Sequence, residues 1–104
     1  MSIQLLLKEL REKVHSILGD KLKEVILYGS YARGDYSTES DVDVLLIVKE
    51  RLSLEEYEKI MEVIAELSLK YEKVISIIDY PENIFMTSDS PFLQNVKKEG
   101  IKIE

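Results

Sequence analysis

Two carboxylates one residue apart, Asp41 and Asp43, stand at the entrance to the longest apolar run of the chain, Val44–Val48. In an extended strand, residues two apart share a face and lie roughly 6–7 Å apart at Cα. Their side chains can therefore converge on one hard cation, or on two cations a few ångströms apart. Ligands that are all oxygen suit Mg²⁺ or Mn²⁺, with substrate phosphates completing the shell. Asp disfavours strands, so two of them at the mouth of a buried strand call for a reason. Taken alone, Asp-x-Asp also describes the solvated end of a strand in an acidic protein.

Gly29-Ser30 precedes Asp41 with ten residues between them. A strand that ends at Gly-Ser and enters a short helix presents backbone N–H groups, a hydroxyl and a helix start to an anion. Gly29, having no Cβ, lets the backbone approach a phosphate closely. Ser30 can donate to a phosphate oxygen. Arg33, one turn on, is a fit donor for the same triphosphate, and Gly34 permits the exit turn. Gly-Ser by itself is also an ordinary loop, and no G-x-x-x-x-G-K-[ST] phosphate loop occurs in the chain.

The elements that must hold these residues are readable from periodicity. Residues 2–18 predict a helix with Ile3, Leu6, Leu7, Leu10, Val14, Ile17 and Leu18 on one face, ended by Gly19. His15 falls about 120° from the centre of that stripe and is expected at the surface, not in a site. Residues 23–28 predict a strand stopping at Gly29-Ser30. Residues 41–48 predict a second strand, apolar on both faces in its later part and therefore central and covered on both sides. Ser53 and Glu56 form a capping box for a helix carrying Leu54, Tyr57, Ile60, Met61, Ile64, Leu67 and Tyr71 on one face. Residues 74–80 predict a third strand closed by Pro81. Residues 82–89 read as an irregular connection in which Ile84, Phe85 and Met86 fold back onto the core. Ser90-Pro91 opens a last short helix, ended by Gly100, and residues 101–103 add an edge strand. The order is α-β-β-α-β-α, an α/β fold with helices packed on a sheet.

Composition narrows the classes of function. The 104 residues fit one small domain, 1–104, and 45% apolar content supplies its core. The absence of Cys removes disulfides, thiolate metal sites and cysteine nucleophiles, and a single His excludes a histidine-rich metal cage. With 14 Lys and Arg against 20 Asp and Glu, the net charge of −6 argues against nucleic acid as a partner. No run is long enough to span a membrane and no basic-then-apolar leader opens the chain, so a soluble cytoplasmic domain is expected. So small a domain is also expected to need a partner, with a second copy of the chain among the options.

Gly29-Ser30, ten residues, then Asp41-x-Asp43, with Ala32-Arg33-Gly34 and Ser40 between, resembles the signature of the polymerase-β-like nucleotidyltransferase superfamily. The short length, the leading helix and the ending Ser90-Pro91-Phe92-Leu93…Glu99-Gly100-Ile101 are similar to its minimal nucleotidyltransferases, the MNT family. The resemblance implies a nucleotidyltransferase-like mixed sheet and transfer of a nucleoside monophosphate from Mg–NTP, with ATP the leading donor. It makes Asp41 and Asp43 the catalytic metal ligands and Gly29, Ser30 and Arg33 the nucleotide-binding residues. It also implies a HEPN-family toxin as partner, with this chain as antitoxin transferring AMP to a hydroxyl of that protein.

The family pattern includes a third carboxylate on a later strand. Counted back from Phe85, as that resemblance implies, the position falls on Ser76. Asp79, three residues on, has the opposite strand parity and would reach the metal only through a bulge or an early strand end. The alternative expectation is therefore a decayed MNT that binds its toxin without transfer. Tyr28, Tyr31, Tyr36 and Tyr80 gather near the expected site, either as a stacking surface for a base or as half-buried packing residues. Lys97 and Lys98 could steer a nucleotide or simply favour a helix C-terminus.

Overall fold

The computed structural model describes residues 3–104. Helix α1 (Ile3–Leu18) starts at the first described residue, so the expected start at residue 2 lies outside them. A 3₁₀ turn at Gly19–Lys21 leads into strand β1 (Leu22–Tyr28), the four-residue helix α2 (Ser30–Arg33) and strand β2 (Val42–Val48). Helix α3 (Leu54–Tyr71), strand β3 (Ile75–Pro81), helices α4 (Glu82–Thr87) and α5 (Pro91–Glu99), and strand β4 (Ile101–Lys102) complete the chain. The four strands form a mixed sheet in the order β3-β2-β1-β4. β1 runs antiparallel to β2 and β4, and β2 runs parallel to β3 through the α3 crossover.

The alternation of β2 decides what lies on each face. Val42, Val44, Leu46 and Val48 point to one side, where they join buried residues of α1 and α3 such as Leu6, Leu10, Ile60 and Leu67. Leu45 and Ile47 point to the other side and pack with Ile26, Leu93 and Val96, flanked by Tyr28, Tyr80 and Phe85. β2 is thus an interior strand covered on both faces, as its apolar run predicts. Polar ties outside the core join α1 to α3: Lys70 and Tyr71 both donate to Glu9 at 2.8 Å, and Lys13 pairs with Glu66. The Ser53–Glu56 capping box forms in full at the start of α3.

Two expectations change. The 82–89 connection contains helix α4, and only Phe85 of its apolar trio packs on the core, Ile84 and Met86 being exposed. A six-residue helix is too short to display a 3.6-residue period, so its pattern carries no signal. On α3, Ile60, Ile64 and Leu67 are buried, whereas Leu54, Tyr57 and Met61 of the same stripe are exposed. Periodicity locates an apolar stripe, but burial depends on what packs against each turn. His15 is exposed, as expected. Among the described residues no helix is long and apolar enough to cross a membrane.

Candidate functional site

β1 delivers the chain to Gly29 at the end of the sheet, and Gly29 turns it sharply with φ +78°, a conformation that disfavours any side chain. Its carbonyl accepts the N–H groups of Ala32 and Arg33, both at 3.1 Å, which closes the first turn of α2. The N–H groups at the start of such a turn have no partner within the helix and stay available to a ligand. Gly34, at φ +85°, caps the turn by donating to the Ser30 carbonyl at 2.9 Å.

Asp43 lies directly beside this turn. It pairs with Tyr28 across the β1–β2 ladder and with Ser76 across the β2–β3 ladder. A Cβ placed on Gly29 would stand 3.1 Å from Asp43 Cγ and overlap its carboxylate oxygen, so only glycine leaves that carboxylate room. Gly29, Ser30, Arg33 and Asp43 line one open cleft of about 610 Å³ together with Tyr28. Its other wall is α5, through Phe92, Asn95, Val96 and Glu99. Phe92 meets Tyr28 edge-on at 5.4 Å and Tyr80 at 6.4 Å. That α5 wall was missed at the sequence level. The spacing 92, 95, 99 marks one helix side, but nothing in the sequence tells which side faces the cleft.

Asp41 is positioned differently. It stands exposed, just before the first residue of β2, and does not line the cleft. Its charge nevertheless reaches Asp43. Burial, first, and then the Asp41 carboxylate push the Asp43 carboxyl above its ordinary value, with Arg33 opposing. Burial and the Asp43 charge likewise hold the Tyr28 hydroxyl in its protonated form. Two carboxylates whose charges strain against each other, with an uncluttered backbone next to one of them, form a donor set that fits a hard divalent cation. Among the described residues no third Asp, Glu or His converges with them, so nucleotide phosphates or water would have to fill the remaining positions. Arg33 donates to Asp35 at 3.2 Å and to Glu99 at 3.5 Å, and these partners raise its already high affinity for the proton.

The profile of the nucleotidyltransferase domain family matches residues 6–103. The chain belongs to that family. A relative in Methanocaldococcus jannaschii, named as a candidate protein adenylyltransferase, is 45% identical over 103 residues, 99% of this chain and the whole of the relative. A candidate nucleotidyltransferase from Sulfolobus solfataricus shares the fold with a TM-score of 0.66 at 23% identity, covering 96% of this chain and 78% of that one. The MNT antitoxin solved in complex with a tri-AMPylated Shewanella oneidensis HEPN toxin matches with a TM-score of 0.60 at 18% identity, over 97% of this chain and 71% of the other. The protein is accordingly a nucleotidyltransferase with the fold of MNT antitoxins.

Within that family framework, the third-carboxylate question has a geometric answer. The β2–β3 register runs without interruption from Val42↔Ile75 to Val48↔Pro81, leaving no bulge. Ser76 is therefore the register partner of Asp43 and shares its face, whereas Asp79 sits opposite Leu46 on the other face. Asp79, the further candidate for the metal ligands, is placed by strand parity on the face away from Asp43. The tyrosines divide as well. Tyr28 and Tyr80 border the cleft side of the sheet, whereas Tyr31 and Tyr36 stack on each other at 4.4 Å. Lys97 lies 5.3 Å from the Phe85 ring centre and lines a different cleft, of about 390 Å³, and Lys98 lines neither.

Proposed function

We propose that this nucleotidyltransferase transfers AMP from Mg–ATP to a hydroxyl of a partner protein, and that the partner is a HEPN-type toxin which the transfer silences. The observation that carries the reading is the packing of Gly29 against the Asp43 carboxylate at the head of one cleft. Triphosphate oxygens would be met there by the Ser30 hydroxyl, the first N–H groups of α2 and the Arg33 guanidinium. Asp41 and Asp43 would hold the cation between them. A divalent cation held by Asp41 and Asp43 would supply Lewis-acid polarisation of the α-phosphate and offset charge on pyrophosphate. The acceptor oxygen bonds to the α-phosphorus as the bond to pyrophosphate breaks, and the hydroxyl proton leaves to water or to a carboxylate. The chain's own part is orientation, and α5 shields one side of the cleft from water.

The relative named for protein adenylylation supports a protein acceptor, and the AMP-modified toxin bound to an MNT antitoxin supports the partner class. The test is incubation of the protein with labelled ATP, Mg²⁺ and a purified HEPN-family toxin from the same genome. Label should appear on the partner with wild type and disappear with Asp41→Ala/Asp43→Ala. Absence of label with wild type, or equal label with the double variant, would reject transfer.

A second reading rests on Ser76. With a hydroxyl where a third anionic ligand would face Asp43, the chain could act by toxin binding alone. In that case the double Asp variant neutralises the toxin as well as wild type does.

A further inference from the structure

Asp43 and Asp41 are held by unequal means. Asp43 is clamped in the interior strand, with Tyr28 on one side and Ser76 on the other. Asp41 follows an exposed loop, and the first backbone tie after it is the Val42 N–H to the Val74 carbonyl at 2.8 Å. Within the loop the Ser37 N–H donates to the Ser40 hydroxyl at 2.9 Å and the Ser40 N–H to the Ser37 carbonyl at 3.2 Å. Behind Tyr36, Ser37 and Thr38 lies an open cleft of about 750 Å³.

Lys73 reaches the loop from the connection between α3 and β3. Lys73 Nζ donates to the Tyr31 hydroxyl at 3.0 Å and to the Thr38 carbonyl at 3.5 Å. Tyr31 is buried and stacks nearly parallel, at 13°, on Tyr36 of the loop. The base of Lys73 is itself anchored. Glu72 closes α3 in the left-handed conformation, φ 52°, and the Lys73 N–H bonds the Ser68 carbonyl at 3.2 Å. Val74, next along, is the residue that accepts from Val42. Lys73 therefore stands on a helix cap and ties both the loop and α2's tyrosine to the start of β3. Its partners are neutral oxygens, and among the described residues no carboxylate pairs with it.

We propose that Lys73 is a positioning residue for Asp41: by tethering the loop it sets where that carboxylate stands relative to Asp43, and so how tightly the pair holds a divalent cation. The proposal rests on the assignment of Asp41 and Asp43 as metal ligands. It makes a prediction opposite in sign to simple electrostatics. Removing a positive charge from the protein can only favour a bound cation by Coulomb's law, whereas losing the tether should weaken its binding.

The experiment titrates Mn²⁺ into protein saturated with a non-hydrolysable ATP analogue and follows free Mn²⁺ by electron paramagnetic resonance. Lys73→Met should weaken binding by about tenfold, the scale on which outer partners of metal ligands act. Lys73→Arg, which can reach the same two oxygens, should restore most of it. Amide exchange at residues 36–40 should rise in Lys73→Met with β2 protection unchanged. If Lys73→Met unfolds the protein, Tyr36→Ala, which removes the loop's half of the stack, carries the same expected weakening. Mn²⁺ binding equal to or tighter than wild type in a folded Lys73→Met protein overturns the tether. Wild-type binding in both Asp41→Asn and Asp43→Asn instead overturns the ligand assignment beneath it, and the tether with it.

Discussion

Gly29 and Asp43 share one space: a β-carbon on the first would lie 3.1 Å from Cγ and 3.3 Å from Cβ of the second. This close approach sets the turn proposed to bind phosphate against β2, the strand proposed to carry the metal ligands. Gly29→Ala should therefore displace the Asp43 carboxylate as well as strain the backbone at φ +78°. Strain of this kind costs about 1–3 kcal/mol, and a misplacement near 1 Å at a reacting centre costs about 10²-fold in rate. Gly34→Ala is the matched control. It shares the positive φ, +85°, but nothing lies within 4 Å of its added methyl. Both variants should lose thermal stability, and only Gly29→Ala should lose transfer of label from ATP by about a hundredfold.

Asp43 also couples function to stability, with a definite sign. Burial and Asp41 raise its carboxyl above the ordinary 3.8 in the folded protein. Between 3.8 and the raised folded value the native state holds the extra proton, so stability falls as pH rises through that window and stays lower above it. At neutral pH the ionised group is a net cost to the metal-free fold. Asp43→Asn should then raise the melting temperature without metal while abolishing transfer. Calorimetry with Mg²⁺ and ATP should show a rise for wild type and none for the variant. A lower metal-free melting temperature for Asp43→Asn would contradict the assigned cause.

The parallel register between Asp43 and Ser76 leads to a gain-of-function expectation. Adjacent strands run about 4.8 Å apart, so an Asp at 76 would project beside Asp43 on the same face. Ser76→Asp should lower the Mg²⁺ concentration for half-maximal transfer severalfold, since added ligand charge is what tightens such sites. Asp79→Ala, on the opposite face, should leave that concentration within about twofold of wild type, the scale of a neutral surface change. Activity that collapses in Asp79→Ala at unchanged stability would restore Asp79 to the site.

Strand periods made these placements legible early. The unbroken apolar run after Asp43 marked β2 as interior, and parity alone separated Ser76 from Asp79 before any register was known. Local chemistry also marked the turn, because few residues but Gly29 allow the φ that α2 needs. What stayed hidden is what depends on contacts between distant segments. Phe92, Asn95 and Glu99 look like any exposed helix side until α5 lies across the sheet. Ile84 and Met86 read as core because their neighbours are apolar, yet a six-residue helix can bury only one of its sides, and that side carries Phe85. Lys73 gave no motif at all. Its meaning lies in reaching Tyr31 and Thr38, 42 and 35 residues away.

Arg33 and Glu99 face each other across the cleft, 3.5 Å apart, while Asp35 holds the same guanidinium at 3.2 Å. The Arg proposed to meet a triphosphate is thus already paired with carboxylates. The pairs are exposed and screened by solvent, so they add little to stability. Their larger effect falls on binding. Glu99 adds like charge to the wall that triphosphate oxygens approach, and it competes for their cation. Glu99→Gln should lower the KM for ATP about threefold to fivefold, with kcat little changed because Glu99 stands on the α5 wall and is not among the proposed metal ligands. Arg33→Gln should raise the KM instead. The gain in Glu99→Gln should shrink as salt rises toward 0.5 M, since screening weakens exposed charge pairs. A KM that is insensitive to Glu99→Gln at low salt would mean the triphosphate does not pass along α5, and would move the phosphate path to the Ser30 side of the cleft alone.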